Sequence, residues 1–323
     1  HLAATYLRIY FLGIPFFLIF NFGAAIIRSM GDTKRPLYIL VIAGIINTLL
    51  NLFFVIALKM SVAGVAVATG IANMVSALLI IRLLCKEKAP FKLHLNKIGV
   101  VWSELRRMLI IGVPAGLQGM VFSFSNVLLQ TAINGYGSDA IAGSAAALNF
   151  EYYCYFVISA FNGAAISFIG QNYGAGNKER VRRIYWICLT LSVVCCGALN
   201  ELFVWQRHFF LSFFSNDPNV QTYGATRMGI VLAWQFIASS YEISASSLRG
   251  MGRSMLPTIL TVFGTCLLRI VWVYVVCPIW HTYDVIMLVY PVSWCITGIM
   301  VCTAFYLFAR KKLYIEAATG HKL

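Results

Sequence analysis

The sequence predicts an all-α, polytopic membrane protein. Of its 323 residues 60% are hydrophobic and 11% charged, and the mean hydropathy is +0.80. Soluble domains do not have this composition. Nine segments reach the roughly 20 mostly apolar residues that a spanning helix needs. The predicted spans are residues 8–27, 37–58, 62–81, 108–133, 140–169, 184–204, 226–248, 256–279 and 284–309.

The basic residues are segregated by side of the membrane. If the loops alternate, Arg8, Lys59, Arg207 and Arg227 lie on one side and Arg269 lies inside a span, which leaves 20 of the 25 Lys and Arg residues on the other side. The positive-inside rule makes that basic side cytoplasmic. The net charge of +14 therefore needs no nucleic acid partner. We expect a plasma-membrane protein surrounded by lipid.

A short sequence occurs twice in the chain. RSMGDTKRP at residues 28–36 and RGMGRSMLP at 249–257 share Arg, Met, Gly and Pro at an offset of 221. In both copies an apolar stretch runs into the Arg, the Gly supplies a turn and the Pro begins the next apolar stretch. The first copy follows one predicted span, whereas the second follows four spans of its own half. We expect two six-helix repeats, of which the first lacks three helices here.

The repeat suggests a division of the chain. Residues 1–81 would be the second half of an N-lobe, 82–107 a cytoplasmic linker, 108–309 a complete six-helix C-lobe and 310–323 a cytoplasmic tail. Because each half contains an even number of spans, the lobes would be parallel repeats related by an axis along the membrane normal. Any substrate path is then expected between them.

One helix face of the seventh predicted span is polar. Gln235, Ser239, Glu242, Ser246 and Arg249 recur at intervals of three and four. Such groups are costly inside a bilayer and usually face a cavity or a partner. Glu242 could therefore be a protonatable or cation-coordinating group that lines a path. Alternatively it is a structural glutamate bonded to a neighbouring helix.

The fifth predicted span has a similar stripe of Glu151, Tyr155, Ser159 and Asn162. Glu151 could serve the same function as Glu242. Its distance of about a dozen residues from the predicted outer loop also allows an interfacial carboxylate.

Uncharged amides form further candidates for substrate binding. Gln118, Asn126 and Gln130 fall on one arc of the fourth span, and the offset of 221 aligns Asn21 with Glu242. Amides suit hydrogen bonds to varied substrates, but they also hold membrane helices together.

Arg269 is a full charge inside a predicted span and needs a partner. We expect a structural ion pair with Glu242 or Glu201 rather than a role in substrate binding.

The sequence lacks the motifs of an enzyme. It contains no Walker A loop, nucleophile elbow, HExxH or GxGxxG after a strand, and no CxxC or Cys/His cluster. We therefore expect neither catalysis nor a bound cofactor, and no metal site is indicated.

Three motifs resemble the multidrug and toxic compound extrusion (MATE) family, whose members are secondary antiporters of twelve helices in two lobes. LRGMG at residues 248–252, echoed at 28–32, is similar to the end of the family's tenth helix. GQNYGAG at 170–176, followed by a basic stretch, is similar to the family's loop between helices eight and nine. GVP at 112–114 is similar to the start of the family's helix seven.

The resemblance implies a monomeric antiporter that exports organic cations, drugs or amphiphilic compounds in exchange for sodium ions or protons. The chain departs from the family pattern because it has no acidic residue near Phe122 in the seventh family helix, and Glu242 lies beyond the position of the tenth-helix aspartate. The coupling ion stays open. The alternative is a flippase for lipid-linked saccharides from the same wider superfamily, which several cavity-lining Arg residues would favour; the sequence offers Arg269.

Overall fold

The computed structural model describes residues 2–88 and 91–309, with side chains from residue 4 onward. Every regular element in these residues is a helix. The predicted tail at 310–323 lies outside them. The chain divides into two compact units, His1–Val100 and Val101–Leu323.

The first unit contains three long helices. They are α1 (Leu2–Ser29), α2 (Lys34–Leu52), which continues as a π-helical turn, and α3 (Val62–Lys86). Helix α1 packs along α3. The approach is close because an added Cβ at Gly23 would lie 2.7 Å from the side chain of Ile80. The core is formed by Phe20, Ala24, Ile27, Ile39, Ile80 and Leu84.

The second unit begins with the long helices α4 (Trp102–Asn134), α5 (Ser138–Gly174) and α6 (Lys178–Trp205). Helix α4 thus starts at Trp102 rather than at the predicted residue 108. Some of the basic residues of the predicted linker therefore lie in this helix. The later elements are α7 (Arg207–Ser212), α8 (Pro218–Ile230), a 3-10 turn (Leu232–Ile237), α9 (Ala238–Gly250), α10 (Met255–Thr261), a π-helical turn (Val262–Leu267), α11 (Leu268–Val271), a second π-helical turn (Trp272–Val276), α12 (Cys277–Trp280) and α13 (Tyr283–Ala309).

Eight helical segments of the described chain are long and apolar enough to span a membrane. They correspond to eight of the nine predicted spans. The segment predicted as a span at 226–248 is not one regular α-helix, because α8, the 3-10 turn and α9 build it in three pieces. Helices α8 and α9 pack against α5, α6 and α13. This segment is therefore largely enclosed by protein, where interrupted and polar helices are tolerated.

The two copies of the repeated sequence have the same turn geometry. Gly31 and Gly252 adopt positive φ angles of 86° and 77°. The amide of Gly31 donates to the carbonyl of Arg28, and that of Gly252 to the carbonyl of Arg249, both at 2.9 Å. Glycine ends a helix in this left-handed conformation without steric cost. Equivalent residues thus form equivalent helix ends in the two units.

Asp32 organises the first of these turns. Its Oδ1 accepts from the backbone amides of Lys34 at 3.0 Å and Arg35 at 3.2 Å. Its carboxylate also pairs with the guanidinium of Arg35, which contacts Glu87 at the end of α3. The hydrogen bonds from the side chain and backbone of Arg35 hold the pKa of Asp32 below its usual value.

We expect Asp32→Asn to lower the stability of the first unit by less than about 1 kcal/mol at neutral pH, because the pair with Arg35 is partly exposed and screened. A depressed pKa contributes stability above the unfolded value, near 3.9. That contribution is lost as the pH falls through the folded value. Thermal unfolding should separate the variant from the wild type at pH 7 and not at about pH 2. An equal difference at both pH values would contradict a charge effect.

Candidate functional site

The two predicted polar stripes meet between α5 and the segment formed by α8 and α9. Asn162 donates its Nδ2 to Oε2 of Glu242 at 3.0 Å, and Gln235 donates its Nε2 to the carbonyl of Glu151 at 2.9 Å. The periodicity of the sequence thus predicts side chains that the fold brings together.

Glu151 and Arg227 form a buried ion pair. Arg227 donates Nε to Oε1 at 2.6 Å and Nη2 to Oε2 at 3.0 Å, and the two side chains are 9% and 3% exposed. The Arg227 guanidinium also lies 5.4 Å from the ring centre of Tyr290. Arg227, predicted near the outer end of the span 226–248, is buried because α8 packs here against α5 and α13. Glu151 is thus paired inside the protein with Arg227.

Glu242 has a more open environment than Glu151. The residue is half-buried, and Tyr155 and Ser159 on the facing helix are exposed. The guanidinium of Arg249 acts on the Glu242 carboxylate electrostatically. Within the described chain Glu242 forms no ion pair. It is therefore a carboxylate held by an amide rather than by a salt bridge.

The serines of the predicted stripe have mainly structural contacts. Ser239 accepts a hydrogen bond from Ser192 of α6 at 3.0 Å, so it faces α6. Ser246 is buried, and its Oγ has no hydrogen-bond partner in the described structure. The face therefore splits into one side packed on α6 and another that carries Glu242.

Arg269 is buried without a carboxylate partner in the described residues; it is 1% exposed. Its Nη1 donates to Oδ1 of Asn126 at 2.9 Å, and its guanidinium lies 4.6 Å from the ring centre of Tyr290 and 5.1 Å from that of Phe122. The expected ion pair with Glu242 or Glu201 is therefore wrong. Cation–π contacts contribute about 2 kcal/mol when desolvated. They therefore offset only part of the several kcal/mol that burying a charge costs.

Gln118 forms a hydrogen bond with another arginine, Arg249. Its Oε1 accepts from Nη2 of Arg249 at 2.6 Å and from Thr258 at 3.2 Å. Gln130, by contrast, pairs with Asn134 of its own helix. Two of the three predicted amides on α4 thus use their oxygens to accept from arginines, because guanidinium groups offer donors only.

Asn21 lies on α1 of the first unit. Its Nδ2 donates to the carbonyl of Phe17 at 2.8 Å, and the contact is exposed. The described residues contain no group of three or more His, Cys, Asp or Glu side chains that could hold a metal ion.

Two family models match the chain. MatE matches residues 114–275, half of the chain. A second model, lipid II flippase MurJ, matches residues 1–135.

Curated relatives carry names of transport proteins. The chain is 34% identical over 182 residues to the probable multidrug resistance protein YpnP of Bacillus subtilis, covering 56% of the chain and 40% of the relative. It is 28% identical over 275 residues to the probable multidrug resistance protein NorM of Thermotoga maritima, covering 80% and 56%. It is 26% identical over 268 residues to the FAD transporter of Shewanella oneidensis, covering 76% and 58%. The chain spans about half the length of these relatives.

Solved structures share the fold. An outward-facing multidrug resistance MATE family transporter of the MOP superfamily matches with a TM-score of 0.85 at 20% identity, over 99% of this chain and 71% of that one. The Vibrio cholerae MATE transporter VcmN in its bent form matches with a TM-score of 0.81 at 15% identity, over 95% and 69%. With a family model that covers half of its residues, the chain belongs to the MatE family of membrane transporters.

Proposed function

We propose that the chain is part of a secondary antiporter that exports organic cations, drugs or amphiphilic compounds across the plasma membrane in exchange for sodium ions or protons. Membership of the MatE family and the names of the multidrug resistance relatives support this function. We further propose a monomer with its basic loops in the cytoplasm. The observation that carries the proposal is the half-buried Glu242, which has no salt bridge within the described residues.

Glu242 is a better coupling group than Glu151. Both oxygens of Glu151 accept from Arg227, so protonation or ion binding at Glu151 would leave a buried guanidinium unpaired. Glu242 accepts from the neutral amide of Asn162 and could change its charge without breaking an ion pair. Its neighbour Tyr155 is 40% exposed, which leaves this side of the interface accessible.

In the full-length protein we expect Glu242→Gln to lower gradient-driven export about tenfold or more, equivalent to ~1.4 kcal/mol. Gln keeps the size of the side chain and can still accept from Asn162, but it carries no charge. The measurement is dye efflux from proteoliposomes with sodium and proton gradients varied separately.

Glu201→Gln is the matched control, because Glu201 is an exposed carboxylate near the end of α6. This variant should export at the wild-type rate. Wild-type export by Glu242→Gln under both gradients would make Glu242 structural and place the coupling group elsewhere in the protein.

A flippase for lipid-linked saccharides is the second candidate. The match of residues 1–135 to the lipid II flippase model favours it, as do two further arginines of the second unit, the buried Arg227 and the half-buried Arg249. Vesicles that hold the full-length protein should be tested with a fluorescent lipid-linked saccharide and a cationic dye in parallel. Gradient-dependent movement of the lipid alone would favour the flippase.

A further inference from the structure

The buried cluster around Tyr290 has more positive than negative groups. The guanidinium groups of Arg227 and Arg269 both lie against the Tyr290 ring. Glu151 is the carboxylate that acts on both, but its two oxygens already accept from Arg227. Two cations thus share one anion, and the charge of Arg269 is left without a direct counterion in the described structure.

The hydrogen-bonding groups at Arg269 are also incompletely used. Its Nη1 donates to Asn126, whereas its buried Nε has no acceptor among the described residues. Because the oxygen of Asn126 accepts from the guanidinium, the amide nitrogen of Asn126 supplies further donors. A buried guanidinium and an amide are therefore both available to an acceptor.

The backbone around Arg269 is irregular. The residue lies in α11, a single α-helical turn between the π-helical turns Val262–Leu267 and Trp272–Val276. π-Helical turns inside α-helices are rare and occur frequently at functional sites. This local irregularity is an observation independent of the charge excess.

We propose that the second unit binds an anionic oxygen group, a phosphate or a carboxylate, at Arg269. Asn126 is the second donor, and the rings of Phe122 and Tyr290 pack around the guanidinium. The α4 residues Phe122 and Asn126 are half-buried, whereas Arg269 is 1% exposed, so we place the approach of the group on the α4 side. Arginine suits this role because its planar donors match the geometry of carboxylate and phosphate oxygens.

The ligand has two possible sources with the same chemistry, the head group of an anionic amphiphile or a free inorganic anion. An anionic amphiphile would be a substrate of the proposed exporter, and only this source of the ligand rests on the proposed function; a free inorganic anion would bind independently of it. Binding needs no ion gradient. A failure to bind anions and a failure to transport are therefore distinguishable.

The test is thermal unfolding of the purified chain in a buffer without phosphate or chloride, with a bulky sulfonate as counter-anion. The probes are inorganic phosphate, dodecyl phosphate and, as the charge-reversed amphiphile, dodecyltrimethylammonium. We expect a saturable rise in Tm with at least one of the two phosphates and none with the ammonium. A rise with inorganic phosphate alone indicates a free anion, and a rise with dodecyl phosphate alone indicates an amphiphile.

Arg269→Met should weaken this binding at least tenfold. Arg253→Met is the matched control, because Arg253 is an exposed guanidinium 5.7 Å from the ring centre of Phe308, and it should keep the rise in Tm. Asn126→Asp places a carboxylate beside Arg269. This variant should have a higher Tm than the wild type without anions and should show no further rise with phosphate.

The proposal is overturned if neither phosphate raises the Tm of the wild type, or if the ammonium alone does. It is equally overturned if Arg269→Met keeps the full rise. Should Arg269→Met fail to fold, Asn126→Asp decides, because an undiminished rise in that variant would exclude Arg269 as the binding group.

Discussion

Arg227→Met is expected to destabilise the second unit by about 3–5 kcal/mol, because it leaves the Glu151 carboxylate buried without its partner. The pair is bidentate, at 2.6 and 3.0 Å, and it joins α5 to α8. Thermal or denaturant unfolding of the purified chain, followed by tryptophan fluorescence, measures the loss. Met preserves the length of the apolar part of the Arg side chain, so the effect reports the charge.

The double variant Arg227→Met with Glu151→Leu should recover most of this stability. Replacing both members of a buried pair by apolar residues is often neutral, whereas removing one is not. Glu242→Gln, which breaks no ion pair, should change stability by less than about 1 kcal/mol. If the double variant is as unstable as Arg227→Met alone, then packing rather than charge accounts for the loss.

The sequence was sufficient to predict eight of the spans, because apolar segments of this length are typical of membrane-spanning helices. It also predicted the glycine turns at Gly31 and Gly252, because only glycine accepts their positive φ angles readily. The interrupted segment at 218–250 was harder to predict. Its breaks depend on enclosure by neighbouring helices, and a window of about 20 residues carries no information on such neighbours.

The sequence predicted which helix faces of the candidate site carry polar residues, but not which of these residues pair with each other. Helical periodicity indicated that Glu151 and Glu242 lie on polar faces. It did not indicate that Arg227, near the start of the predicted span, lies inside the protein opposite Glu151. For Arg269 the sequence showed that a partner was required. The partners are an amide and two aromatic rings, which have no charge that a search for complementary residues would detect.

Gly143→Ala is expected to be the most damaging substitution of a small residue, because α5 and α8 touch through their backbones at this position. An added Cβ would lie 2.4 Å from the carbonyl oxygen of Val220 and 2.8 Å from the amide nitrogen of Gly224. Backbone atoms cannot rotate away as a side chain can, so α8 must shift. Overpacking of this kind costs about 1–3 kcal/mol or more, and close helix contacts in membranes depend on small residues.

Gly163→Ala in the same helix provides the control, because an added Cβ there meets nothing within 4 Å. Alanine in a helix interior should stabilise it by up to about 1 kcal/mol. The two variants should therefore shift the Tm in opposite directions. Since Arg227 lies one helical turn beyond Gly224, the shift of α8 in Gly143→Ala should also strain the Arg227–Glu151 pair. Adding Gly143→Ala to the apolar double variant should then cost less than adding it to the wild type, and equal costs would show that the backbone contact and the ion pair act independently.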